Sequence, residues 1–115
     1  MCFYQHQAHS DPFKHIGSQD ITAHVDFTAV IESGISAHLS LGGFTTQSAF
    51  LLSCGLLDIA DHSGLSSVEQ YKQNQAVKKL TFPSQMGELI KVMALNQNFK
   101  APLLGFTLSD RRRSL

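Results

Sequence analysis

The sequence predicts an α/β fold, because segments with strand periodicity alternate with segments with helical periodicity along its 115 residues. This length suits one domain with a core and is short for two domains. Hydrophobic residues make up 43% of the chain and charged residues 16%, which is typical of a folded protein. The nine basic and nine acidic side chains cancel, so global charge predicts neither a nucleic-acid nor a membrane partner.

The first part of the chain predicts a strand, a helix and a second strand. The β-favouring run that begins at Cys2 predicts a strand from Cys2 to His6. Asp26 is a good N-cap residue for a helix that ends at Gly34. The segment from His38 to Phe44 alternates in polarity and contains two adjacent glycines, which predicts a strand with a bulge or a close backbone approach.

The middle of the chain predicts two helices. Thr45 or Thr46 can cap the first helix, whose apolar residues keep helical spacing from Phe50 to Ile59. Ser66, followed three residues later by Glu69, has the pattern of a capping box and opens a second, polar helix.

The C-terminal part predicts one or two more strands. Pro83 ends the polar helix, and the nearly continuous apolar run from Leu89 to Leu95 predicts a strand buried on both faces. Residues 103–108 predict a last short strand. The three arginines at 111–113 predict a solvated tail or, alternatively, a phosphate or RNA contact.

A polar row is the main candidate for a functional site. Four polar residues alternate with apolar ones, which predicts an extended segment with one polar and one apolar face; they are Asp20, Thr22, His24 and Asp26. The functional interpretation is a cleft wall whose carboxylates bind a guanidinium. The structural interpretation is that Asp26 caps the helix and His24 donates to Asp20 or to a carbonyl.

The histidines and Cys54 predict neither a metal site nor a reactive thiol, and the role of Gln47 stays open. The six histidines have neither a cysteine pair nor an H-E-x-x-H frame beside them, so no metal site is predicted. Cys54 falls on the apolar face of a predicted helix, where it would be an inert thiol. Gln47, at the start of the same helix, either offers its amide to a substrate or plays an ordinary structural part.

Cellular location is predicted from two further features. The only cysteines, Cys2 and Cys54, lack metal-type spacing and suit a reducing compartment. No secretory segment opens the chain, and no apolar stretch is long enough to span a bilayer. A cytoplasmic protein is therefore expected.

Three motifs in this order resemble the closing third of the MidA-type S-adenosylmethionine-dependent methyltransferases: GSQDITAHVDFTAV, GGFTTQSAFLLSCGLL and LTFPSQMGELIKVMALNQ. The family includes a mitochondrial assembly factor for respiratory complex I. The resemblance runs from Cys2 to about Arg113. It implies the C-terminal part of a class I (Rossmann-like) methyltransferase sheet, with residues 2–6 as its fifth strand and residues 38–44 and 89–95 as its antiparallel closing pair.

The resemblance also implies an activity, methyl transfer from S-adenosylmethionine to arginine side chains of a partner protein. A respiratory complex I subunit is one such partner, and the location would be mitochondrial in a eukaryote. The acceptor would be bound by Asp20, Thr22, His24, Asp26 and Gln47.

The family's glycine-rich cofactor turn and acidic ribose-binding residue have no counterpart in the sequence. These 115 residues are therefore expected to be the C-terminal part of one domain, without its N-terminal cofactor-binding half and unable to bind the cofactor alone. Two alternatives stay open, a free-standing protein-interaction module and a non-functional gene fragment.

Overall fold

A computed structural model describes residues 1–60 and 63–115 of the chain. The N-terminal part forms a small sheet of three short strands: β1 (Cys2–Tyr4), β2 (Gln7–His9) and β3 (Asp20–Ile21). Their order is β2-β1-β3, and both pairings are antiparallel. This sheet carries the beginning of the polar row.

The strand predicted from Cys2 to His6 ends at Tyr4 and turns back on itself. Gln5 and His6 have φ angles of 47° and 64°, so both occupy the left-handed region used by tight two-residue hairpin turns. Because both neighbours of β1 are antiparallel, β1 is not the fifth strand of a parallel class I sheet. That part of the sequence prediction is wrong.

The first helix, α1 (Phe27–Ser36), begins after its predicted cap but continues two residues beyond Gly34. Gly34 is buried inside the helix because it packs against β5, where an added Cβ would lie 3.0 Å from Leu95 Cδ1. The Gly34 carbonyl accepts hydrogen bonds from the backbone N–H groups of Ala37 and Leu39 as the chain leaves the helix. The glycine therefore serves helix–strand packing, not helix termination.

The second sheet is the antiparallel pair β4 (Ser40–Thr46) and β5 (Lys91–Asn96). Its register shifts between Leu41 and Gly43, which confirms the predicted glycine bulge. Both strands start two residues later than predicted, and β5 does so because residues 86–89 are helical. The residues of β5 are half-buried, so the prediction of a strand buried on both faces is wrong.

Four helices occupy the described chain between these two strands: α2 (Gln47–Ser53), α3 (Leu56–Ile59), α4 (Ser67–Thr81) and α5 (Met86–Leu89). Thr46 caps α2, as predicted, by accepting a hydrogen bond from Ala49. The helix predicted through Ile59 is interrupted at Gly55, whose φ of 82° ends the α2 geometry. Cys54 is consequently exposed, so the prediction that it lies on an apolar face is wrong.

The C-terminal residues 111–115 are exposed to solvent, as the tail interpretation predicts, but the segment is also hydrogen-bonded to β4. Residues 104–106 form a 3-10 turn in place of the predicted last strand. The Arg111 backbone N–H donates to the Phe44 carbonyl at 2.6 Å, and its guanidinium contacts both carboxylate oxygens of Glu88 at 3.1 and 3.2 Å. The chain end is thereby held to β4 and to the helix at residues 86–89.

Ser66 and Glu69 form the predicted capping box at the start of α4. The Ser66 hydroxyl donates to the Glu69 carboxylate at 2.7 Å and the Ser66 backbone N–H at 2.9 Å. These two donors, the hydroxyl first, hold the pKa of Glu69 below its ordinary value. A lowered pKa means that the stabilisation is complete above the ordinary value and is lost as pH falls through the lowered one.

The Ser66→Ala substitution should therefore raise the pKa of Glu69 toward its ordinary value and lower the melting temperature at neutral pH. The difference in melting temperature from the wild type should shrink as the pH falls through the lowered pKa of Glu69. NMR titration of the Glu69 carboxyl and thermal unfolding over the same pH range measure these effects. Ser67→Ala is the control, and an unchanged Glu69 pKa in Ser66→Ala would contradict the prediction.

Candidate functional site

The polar row begins in β3 and is anchored to the first residue of the chain. Asp20 pairs with Phe3 in the sheet register. The Thr22 backbone N–H and hydroxyl both donate to the Met1 carbonyl, at 2.8 and 3.0 Å, and the Met1 amino group donates to the Thr22 carbonyl at 2.7 Å. The Thr22 hydroxyl is thus already bonded to the Met1 carbonyl. Thr22 holds the segment against the first residue of the chain.

Asp26 caps α1, and this confirms the structural interpretation for that residue. Its Oδ1 accepts a hydrogen bond from the Ala29 backbone N–H at 3.0 Å. The side chains of Asp20 and His24 are exposed and make no hydrogen bond to any residue that the structure describes, so His24 does not donate to Asp20. Two carboxylates and an imidazole therefore face solvent with unused hydrogen-bonding capacity.

The face opposite the polar row is not buried. Ile21 and Val25 on this apolar face are 64% and 60% exposed. Phe27 is the exception, because its ring packs against Phe44 with centroids 5.0 Å apart. The row is thus held at its two ends, by the Met1 contacts and by α1, with exposed side chains between them.

Gln47, the remaining predicted binding residue, lies apart from the row in sequence, at the first position of α2. Its side-chain Nε2 donates to the Leu80 carbonyl near the end of α4 at 3.0 Å. This bond satisfies one of the carbonyls that a helix end leaves without a partner. The structure therefore gives Gln47 a role in joining α2 to α4.

No group of three or more metal-binding side chains comes together within residues 1–60 and 63–115. Among the residues that the structure describes, His9 and His15 take part in ring contacts. His15 stacks on Tyr4 with centroids 4.0 Å apart and meets His9 edge-on at 6.3 Å. These rings pack the loop after β2 against the hairpin.

The adjacent glycines of β4 are covered by other side chains, which leave no space there for a cofactor. A Cβ on Gly43 would lie within 2.6 Å of Phe106 Cδ2, because the Phe106 ring covers this glycine. Gly42 is similarly covered by Asn96, whose Nδ2 would lie 2.5 Å from an added Cβ. The glycine pair therefore does not form the phosphate-cradling turn of a dinucleotide or S-adenosylmethionine site.

A second candidate surface lies at the bulge, where the sequence predicted a bulge or a close backbone approach but no binding site. This surface, the bulge groove, is a cavity of about 490 Å³ formed by residues 40–42, Asn96, residues 98–102 and Arg112. Three segments far apart in sequence meet there because β4 and β5 pair antiparallel and the C-terminal segment folds back. The only local signal was the pair of glycines.

None of the helices in the described part of the chain combines the length and apolar character needed to cross a membrane.

Comparisons with known proteins connect these features to a family. Residues 1–45 match the family model described as "Putative S-adenosyl-L-methionine-dependent methyltransferase". A separate comparison with curated proteins gives no match.

Two solved structures from Burkholderia thailandensis match the entire chain. One, described as a superfamily member and "likely methyl transferase" bound to S-adenosyl-homocysteine, is 40% identical with a TM-score of 0.89. The other, described as an uncharacterized protein of the same superfamily, is 42% identical with a TM-score of 0.90. The present chain spans 30% and 31% of those two chains.

The family match and the two structures agree with the three motifs that carried the sequence resemblance. The N-terminal 45 residues are therefore similar to this methyltransferase family, and the whole chain is similar to one part of the two solved structures.

Proposed function

We propose that this chain is the acceptor-side, closing part of an S-adenosylmethionine-dependent methyltransferase that modifies arginine side chains of a protein. The observation that carries the proposal is the match of all 115 residues to a structure that holds S-adenosyl-homocysteine. That molecule is what remains of S-adenosylmethionine after the methyl group has been transferred. We assign no part of cofactor binding to these residues, because other side chains pack directly over their glycine pair.

The distribution of apolar residues supports a larger folding unit. The radius of gyration is 17.9 Å, whereas a compact chain of this length has a value of about 13 Å. Cys2, Phe44 and Phe106 are the buried hydrophobic residues of the described chain, while Phe13 and Ile59 remain 81% and 79% exposed. Covering a large apolar side chain stabilises a fold by about 1.5–3 kcal/mol. We infer that polypeptide outside these residues covers this surface and contributes the cofactor site.

The unused carboxylates of the polar row favour a guanidinium as the bound group. Asp20 has no side-chain partner among the described residues, and the Asp26 Oδ2 atom is not required for capping. A carboxylate and a guanidinium form paired, charge-assisted hydrogen bonds, which fix the orientation of the planar group. In this proposal Asp20 and Asp26 bind the acceptor, His24 lies between them, and Thr22 and Gln47 position the backbone.

The first experiment is calorimetric titration of the 115-residue chain with S-adenosylmethionine. No binding is expected from the chain alone. Co-expression with the remaining segment of a relative should restore binding. Micromolar binding to the isolated chain would contradict the assignment of the cofactor site to other residues. A stable monomer that gains nothing from the added segment would favour the interaction-module alternative.

The second experiment uses that completed enzyme and an arginine-containing peptide. The Asp26→Asn substitution separates the charge of this residue from its capping role. Asparagine caps helices as well as aspartate does, so the charge is lost and the cap is kept. Loss of a charge-assisted hydrogen bond costs about 1.5–3 kcal/mol, so Asp20→Asn and Asp26→Asn should each raise the peptide KM roughly 10- to 100-fold. Affinity for S-adenosylmethionine should not change.

The control variant is Asp11→Asn, whose carboxylate accepts from the Phe13 backbone N–H in an exposed loop outside the polar row. Its KM should match that of the wild type. Equal KM values for all three variants would contradict the acceptor role of the row, and a preference for a lysine peptide would contradict the arginine assignment.

A further inference from the structure

The bulge groove contains hydrogen-bond donors that the proposed acceptor site does not use. Lys100 and Arg112 line it, and none of its lining residues is acidic. Arg112 is held in place, because its Nε donates to Asp110 at 2.7 Å and its Nη1 to the Leu41 carbonyl at 3.3 Å. Its Nη2 and the Lys100 ammonium have no hydrogen-bond partner among the described residues. Asp110 offsets one of the two positive charges, so the groove keeps a net positive charge.

Two carboxamides add neutral donors to the same groove. The Asn96 side chain lies over the bulge, where only glycine at position 42 leaves room for it. Asn98 has a φ of 59°, a left-handed conformation that asparagine tolerates better than most residues. Neither carboxamide makes a hydrogen bond within the part of the chain that the structure describes. The groove therefore presents two cationic and two carboxamide donor groups and no carboxylate, which favours an anion.

The groove also has an apolar side and a suitable size. Phe99, beside Lys100, is 50% exposed and lines the cavity together with Pro102. A volume of about 490 Å³ lies within the usual range for small-molecule sites. A ligand that carries an anionic group on an aromatic body would use both parts of the lining.

From these contacts we propose that the bulge groove binds a small ligand with a phosphate group attached to an aromatic or apolar body. Phosphate carries a charge of about −1.5 to −2 at neutral pH and accepts several hydrogen bonds. A phosphate group can accept hydrogen bonds from the Lys100 ammonium, the unpaired Arg112 Nη2 and the two carboxamide NH2 groups. The proposal does not depend on methyl transfer or on S-adenosylmethionine.

The test is an NMR titration of the 115-residue chain with phenyl phosphate, inorganic phosphate and benzoate. Phenyl phosphate should shift the amide signals of residues 40–42 and 96–102 in a saturable manner. It should bind more tightly than inorganic phosphate, because Phe99 adds an apolar contact, and more tightly than the singly charged benzoate. Raising the salt concentration should weaken binding.

Lys100→Gln should weaken phenyl phosphate binding roughly 5- to 10-fold through loss of a charge-assisted hydrogen bond. The matched control is Lys72→Gln on α4, an exposed lysine outside the groove that should leave binding unchanged. Equal losses in the two variants, shifts spread over all basic residues, or no saturable shift at all would each overturn the proposal. Benzoate binding as tight as that of phenyl phosphate would overturn the phosphate assignment.

Discussion

The Gly87→Ala substitution should destabilise the chain by about 3 kcal/mol and lower its melting temperature by roughly 10–20 °C. Gly87 is the buried residue of α5 and lies against the C-terminal end of α4. An added Cβ would overlap the Thr81 carbonyl group and would lie 3.0 Å from the Phe82 carbonyl oxygen. Because these atoms belong to the backbone, no rotamer change relieves the clash.

The control for this prediction is Gly34→Ala, the same change at another buried helical glycine. There the nearest atom to the added Cβ is the flexible end of Leu95, at 3.0 Å, and alanine favours the helix by about 1 kcal/mol. Its free energy of unfolding, measured by urea denaturation, should stay within about 1 kcal/mol of the wild type. Equal effects of the two substitutions would contradict the close backbone contact between α4 and α5.

The Phe106→Ala substitution should cost about 3–4 kcal/mol of unfolding free energy. Phe106 is 8% exposed, meets Phe50 edge-on with centroids 5.6 Å apart and covers Gly43 of β4. It therefore joins α2 to the second sheet, and removing its ring leaves a cavity between them. Phe13→Ala, at a site 81% exposed, should change stability by less than about 0.5 kcal/mol.

A double-mutant cycle tests this contact more directly. Gly43→Ala alone should be destabilising, because the new methyl group meets the Phe106 ring. In the Phe106→Ala background that ring is gone, so Gly43→Ala should cost much less there. The two free-energy changes should differ from additivity by about 1–2 kcal/mol. Additive effects would contradict the direct packing of this ring on the bulge.

The features predicted correctly from the sequence depend on residues close together in the chain. Asp26 caps α1, Thr46 caps α2, and Ser66 with Glu69 forms the capping box of α4. Each cap joins atoms about three residues apart, so its geometry follows from local sequence. The polar row could be predicted for the same reason, since its alternation is local in sequence. The apolar residues on its opposite face are nevertheless exposed to solvent.

The hairpin at Gln5 and His6 illustrates a prediction that local rules could not make. Such turns usually contain asparagine or glycine, and neither residue is present there. The left-handed backbone at these positions is compensated by the pairing of Cys2 with His9 and with Ile21. That compensation comes from the sheet, so the turn residues alone predicted a continuous strand.

The sequence by itself determined the resemblance to the methyltransferase family, the starts of α1, α2 and α4, and the location of the polar row. The tertiary structure decided which of these residues are free to bind a ligand: Thr22 and Gln47 are occupied by backbone carbonyls, whereas Asp20 and His24 have no partner in the described chain. It also brought Lys100 and Arg112 together beside the bulge. Contacts between residues distant in the chain depend on how strands and helices pack, and no local pattern encodes that packing.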